Sequence, residues 1–181
     1  MRIIAGEWRG RPLVAPEGQG TRPTSDRTRE GLFSMLASRL GTFEGLHVAD
    51  LFAGTGALGL EALSRGAAHC TFVEKDRAAI ATLQRNIATF SAEARCSIIS
   101  QGLEYSPPPA RPCDLVLLDP PYESELAAMG LSRIGNPLWV VPGGWVSVET
   151  SGKPPPAPQD FALVAERRFG KAFISLFHRE K

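Results

Sequence analysis

Across residues 26–40 the apolar positions Leu32, Phe33, Leu36 and Leu40 recur at helical spacing, and Thr24 or Ser25 stands where a cap is needed. Beyond that helix the period keeps switching. Residues 47–53 read as a strand, 58–65 as a helix, 70–75 as a strand, and 77–90 as a helix striped by Ile80, Leu83 and Ile87. Residues 96–101 form the next strand-like run. The apolar run Leu115-Val116-Leu117-Leu118 then reads as a buried strand, stopped by Asp119-Pro120-Pro121-Tyr122. A helix within 124–134 and a strand over 145–150 follow. This alternation predicts a parallel sheet wound with helices. The end breaks the rhythm: residues 161–168 and 172–179 flank Gly170-Lys171 and predict an antiparallel hairpin. Two crossovers, 106–112 and 152–158, are dominated by proline and leave little room for helices.

Residues 2–22 differ from the rest. They are rich in Gly, Pro and Arg, with apolar pieces only at Ile3-Ile4 and Leu13-Val14, and predict a short hairpin or arm with little core of its own. The expected organisation is therefore an N-terminal basic arm over 1–24 and one domain over 25–181. A chain of 181 residues, 43% hydrophobic and 22% charged, can bury one core of ordinary soluble type. No apolar stretch approaches a membrane span, and Met1–Gly6 is too short for a signal sequence, so the expected location is the cytoplasm without membrane association. Cys70, Cys96 and Cys113 are widely spaced and form no CxxC pair, and only Cys70 has a histidine beside it, His69; they read as buried thiols near strand starts, with neither disulfide nor metal expected.

The net charge of +1 conceals an asymmetry. Residues 1–39 carry seven arginines against four acids, residues 40–160 eight basic groups against thirteen acids, and residues 161–181 five against two. Sixteen of the twenty basic residues are Arg, the side chain suited to forked phosphate contacts. A basic arm on an acidic body suggests a polyanionic partner, although solvated surface charge explains the arm almost as well.

Two segments carry chemistry. At Asp119-Pro120-Pro121-Tyr122, prolines that cannot donate leave carbonyl acceptors beside an acid and an aromatic face. That set suits a planar amine, with acceptors for its N–H groups and a ring to stack on. A proline turn with Tyr122 packed on the core fits the segment alone equally well. Upstream, Asp50-Leu51-Phe52-Ala53-Gly54-Thr55-Gly56-Ala57-Leu58-Gly59 places a G-x-G-x-x-G pattern where a strand hands over to a helix. Glu74 follows twenty residues after Gly54, the spacing that holds ribose hydroxyls. These parts alone fit a dinucleotide enzyme as well as an S-adenosylmethionine enzyme. Asp50 separates them: its carboxylate suits the ammonium of a methionine moiety and would repel a pyrophosphate. A nicotinamide reductase has no need of the amine corner either; a non-catalytic RNA-binding module is the alternative from another class.

Together these residues resemble class I methyltransferases that act on exocyclic amines. The flanks Arg2–Arg11, Arg22-Pro23-Thr24-Ser25-Asp26-Arg27-Thr28-Arg29-Glu30 and Gly56–Arg65, with Gly170-Lys171-Ala172 and Phe177-His178-Arg179 at the end, resemble the RsmD family of bacterial 16S rRNA guanine-N2 methyltransferases. The resemblance implies a Rossmann-like α/β fold with a seven-stranded, mostly parallel sheet, a C-terminal antiparallel hairpin and a small N-terminal extension. It implies S-adenosylmethionine as methyl donor, S-adenosylhomocysteine as product and no metal. Backbone at Phe52, Ala53, Gly54 and Gly56 would cradle the methionine part, with Asp50 near its amine. Glu74 would hold the ribose, and Lys75 and Gln101 would flank the adenine. Asp119, Pro120, Pro121 and Tyr122 would receive the guanine, and Arg9, Arg22, Thr24, Arg27 and Arg29 would face the RNA. The implied partner is 16S rRNA in an assembling or assembled small subunit. Adenine in DNA or a protein glutamine amide are the alternative acceptors, and the arm argues against both. Modest size and short crossovers point to a monomer.

Overall fold

The computed structural model describes residues 1–15, 25–121, 124–136 and 138–181. Seven strands run β1 His47–Leu51, β2 His69–Val73, β3 Cys96–Ile99, β4 Cys113–Leu118, β5 Val140–Thr150, β6 Phe161–Phe169 and β7 Ala172–Arg179. They join one sheet in the order β3-β2-β1-β4-β5-β7-β6. The first five run parallel to one another, and β7 runs antiparallel to both β5 and β6. The helices are α1 Asp26–Leu40, α2 Ala57–Ser64, α3 Arg77–Thr89 and α4 Ser124–Ile134. This is the doubly wound sheet with a terminal hairpin that the alternating periods predict.

Local chemistry sets the helix ends. The Ser25 hydroxyl accepts from the Thr28 N–H at 3.1 Å, and the Asp76 carboxylate from the Ala79 N–H at 2.8 Å, so each caps a first turn. Every residue of α2 is buried, as expected of a short helix without a polar face. No helix lies between β3 and β4 or between β5 and β6, in keeping with the prolines there. Strand β5 begins at Val140, five residues before the stretch that periodicity marks, because Val140 and Cys113 pair ahead of an irregularity in the β4–β5 ladder. Cys70 and Cys113 are buried and Cys96 is half-buried; burial pushes the Cys96 and Cys113 thiols up to about 12. Among the described residues no helix is long and apolar enough to cross a membrane.

The arm has a fixed seat. Arg2 and Pro12 form an isolated bridge, and Ile3, Trp8 and Leu13 are buried in the same core cluster as α1 and α2. Trp8 stacks on Phe90 with ring centroids 4.6 Å apart. The fully buried Glu61 of α2 accepts from the Ile4 N–H at 2.8 Å and the Ala5 N–H at 3.0 Å. The arm contributes to the core, therefore, more than its composition suggests.

Candidate active site

The chain leaves β1, builds β2 and β3 on one side, and returns through β4 on the other, so β1 and β4 flank the topological switch point. Ligands of such sheets bind outside the carboxyl ends of the strands at that place. Leu51 pairs with Leu118 across β1 and β4, which sets the glycine turn beside the Asp119 corner. Glycine turn and proline corner thus open at one end of one sheet, on adjacent strands.

The turn is built by unusual backbone. Phe52 has φ +64°, a left-handed conformation that costs a non-glycine residue about 1–2 kcal/mol. Gly54 and Gly56 follow at φ +55° and +83°. Their surroundings differ. A Cβ on Gly56 would stand 2.3 Å from Leu83 Cδ1, whereas one on Gly54 would meet nothing within 4 Å. Gly56 is thus needed for packing against α3, and Gly54 leaves open room directly above the backbone.

Two carboxylates hold the turn in place, a role that no local sequence pattern marks. Asp50, 1% exposed, accepts from the Gly59 N–H at 2.8 Å and ties β1 to the first turn of α2. Burial pushes its carboxyl well above the usual 3.8; the Gly59 N–H pulls it back, while the negative charges of Asp119 and Glu74 push it further up. Glu74 accepts from the Gly54 N–H at 2.8 Å and from the N–H groups of Lys75 and Asp76 at 2.8 and 2.9 Å. A carboxylate has about four acceptor positions, so Glu74 retains capacity for a ligand hydroxyl. Asn86 was likewise not foreseen. This buried side chain donates to the Thr55 and Val14 carbonyls, each at 3.0 Å, and accepts from the Val14 N–H at 2.8 Å. It joins the arm directly to the glycine turn. An Asn two turns into an amphipathic helix carries no local signal for that role.

The remaining candidates divide. Asp119 and Pro120 follow β4, with Pro121 exposed beyond them. Lys75 follows Glu74 at the surface, and Gln101 lies exposed in the loop two residues after β3. Arg9 and Arg27 are exposed. Tyr122, Arg22 and Thr24 lie outside the described residues. Arg29 needs correction. It is fully buried, pairs with Asp26 at 3.0 Å and Glu61 at 3.7 Å, and donates to the Arg2 carbonyl. A guanidinium used this way anchors the arm and does not face RNA. Helical position alone could not separate the exposed Arg27 from the buried Arg29.

Beside the corner lies a cavity of about 450 Å³ between Pro120-Pro121, the start of α4 and residues 149–155. Among the described residues no cluster of His, Cys, Asp and Glu could hold a metal ion.

A family model described as Conserved hypothetical protein 95 matches residues 1–178. The chain is 37% identical to ribosomal RNA small subunit methyltransferase D of Escherichia coli (strain K12), over 99% of this chain and 90% of that protein. The chain belongs to the RsmD family. A second RsmD relative, ribosomal RNA small subunit methyltransferase D of Haemophilus influenzae, is 38% identical over 98% of this chain and 93% of its own length. The solved structure of yhhF from Escherichia coli matches the RsmD fold seen here with a TM-score of 0.87 and 36% identity, covering 99% of this chain and 98% of that one.

Proposed function

We propose that this protein transfers a methyl group from S-adenosylmethionine to the exocyclic N2 amine of one guanine in 16S ribosomal RNA, in an assembling or assembled small subunit. The observation that supports this reading is the adjacency of the glycine turn and the Asp119 corner on β1 and β4, which would let cofactor and amine meet at one place. Family membership supplies the ribosomal target. The residues fit the donor: open room above Gly54 suits a ligand pressed onto the backbone, the Glu74 side chain suits a ribose diol, and Asp50 in its ionised form suits an ammonium. Lys75, two residues after β2, and Gln101, two residues after β3, would flank the adenine.

When bound, S-adenosylmethionine supplies a methyl already activated on a sulfonium, so no strong base is required of the protein. Its work is alignment, which can account for much of the barrier when the reacting atoms are held in near-attack geometry. The Asp119 carboxylate and the Pro120 carbonyl accept from the amine hydrogens, turn the nitrogen lone pair toward the methyl and favour the positive charge that develops on nitrogen. The proton then leaves to Asp119 or to water. The base must be unstacked first, at a cost of a few kcal/mol. Stacking by Tyr122 and phosphate contacts from Arg9, Arg22, Thr24 and Arg27 offset that cost.

Mass spectrometry of 16S rRNA from cells lacking the protein tests the reading: one N2-methylguanosine should disappear, and an unchanged modification map would overturn it. In the purified enzyme, Asp119→Ala should lower kcat by about 10²–10³ while RNA affinity stays within a few-fold. Unchanged turnover would remove Asp119 from the reaction.

A further inference from the structure

The cavity beside the proline corner contains a buried carboxylate that the methyl-transfer reading does not use. Glu149, near the end of β5, is 7% exposed and lines the cavity together with Pro120 and Pro121. Its place follows from the sheet. Leu118 pairs with Val148, so the next residues of the two strands, Asp119 and Glu149, stand side by side at their carboxyl ends. The other charged residues on the wall, Glu125 and Lys153, are both exposed. Among the described charged residues of the wall, Glu149 is therefore the one whose position the fold fixes.

The geometry points to Glu149 as the residue that selects guanine, by accepting a hydrogen bond from guanine N1–H while the Asp119 corner holds the N2 amine; this rests on the methyl-transfer reading above. The chemistry is asymmetric among the bases. Each of adenine, cytosine and guanine carries an exocyclic amine, but the ring nitrogen beside it differs. Adenine N1 and cytosine N3 are bare acceptors, whereas guanine N1 carries a hydrogen. In its carboxylate form Glu149 only accepts, so it pairs with guanine and faces a lone pair in the other two. The cavity is within the range that small-ligand sites occupy and has room for an unstacked base. Because Glu149 is buried, water does not easily relieve the repulsion between its carboxylate and the lone pair of a wrong base.

2-Aminopurine tests the assignment. It keeps the N2 amine but has a bare N1. Mass spectrometry first locates the modified guanine; that base is then replaced in small-subunit RNA by splinted ligation and the RNA is reassembled with subunit proteins. Wild-type enzyme should methylate guanine with a kcat/KM about 10- to 100-fold above 2-aminopurine. Glu149→Gln, whose amide donates to a bare N1, should bring that ratio to within a few-fold, with S-adenosylhomocysteine affinity and thermal melting unchanged. The ratio of the two ratios isolates N1 from the carbonyl that 2-aminopurine also lacks. An unchanged ratio in the folded variant overturns the role of Glu149. So does equal use of the two bases by wild-type enzyme, a comparison that needs no variant. If guanine itself is not methylated, the methyl-transfer reading fails instead.

Discussion

At the scale of single residues, two glycines two positions apart in one motif should respond differently to the same methyl group. Gly56→Ala drives a Cβ into Leu83 at positive φ and should cost about 1–3 kcal/mol in urea denaturation. Gly54→Ala pays mainly for its left-handed backbone, about 1 kcal/mol, but fills the room left for a ligand. Calorimetry should show S-adenosylhomocysteine affinity falling tenfold or more in Gly54→Ala. Asp50 sets a pH dependence. Its folded pKa lies above the unfolded value, so its contribution is greatest below the ordinary 3.8 and is lost as pH rises through the folded pKa. Asp50→Asn keeps an acceptor for Gly59 and has nothing to titrate. Denaturation at about pH 5 and about pH 8 should therefore show the variant gaining on wild type at the higher pH. The Gly-x-Gly spacing was visible in the chain; which glycine is packed and which is open was not, because Leu83 arrives from another helix.

At the scale of elements, α2 connects two functions. Its start is set by Gly56 and by the Asp50–Gly59 bond, and its middle carries Glu61, which holds the arm. Glu61 also pairs with the buried Arg29 and with Arg65 at 2.9 Å. Removing one partner of a buried pair leaves an uncompensated charge, so Glu61→Ala should cost about 3–5 kcal/mol in urea denaturation. A loss under about 1 kcal/mol would show that solvent reaches Arg29 after all. Helix and strand identities were legible because period, caps and proline breaks are local. Residues 57–64 read as a helix from their own pattern. The use made of Glu61 was not legible, since its partners other than Arg65 lie 32 and more than 50 positions earlier.

At the scale of the whole molecule, charge divides the arginines of the N-terminal region by destination. Exposed Arg9 and Arg27 are available to phosphate, and each change to Ala should weaken RNA binding across sequences and reduce the salt slope of log K by about one. Filter binding over a salt series measures this; slopes equal to wild type would place the RNA elsewhere. Arg29→Ala should appear instead in thermal stability. The amino-acid sequence by itself determined the alternation of strands and helices, the antiparallel end, the glycine turn and the proline corner after β4. Each follows from side-chain period or from the backbone limits of Gly and Pro within a few residues. Only the tertiary structure decided that β1 lies against β4, that Asp119 and Glu149 are neighbours, and that Arg29 turns inward. Those facts depend on strand order and on pairings between distant residues, where burial and hydrogen bonding across the fold select one arrangement from many that local pattern allows.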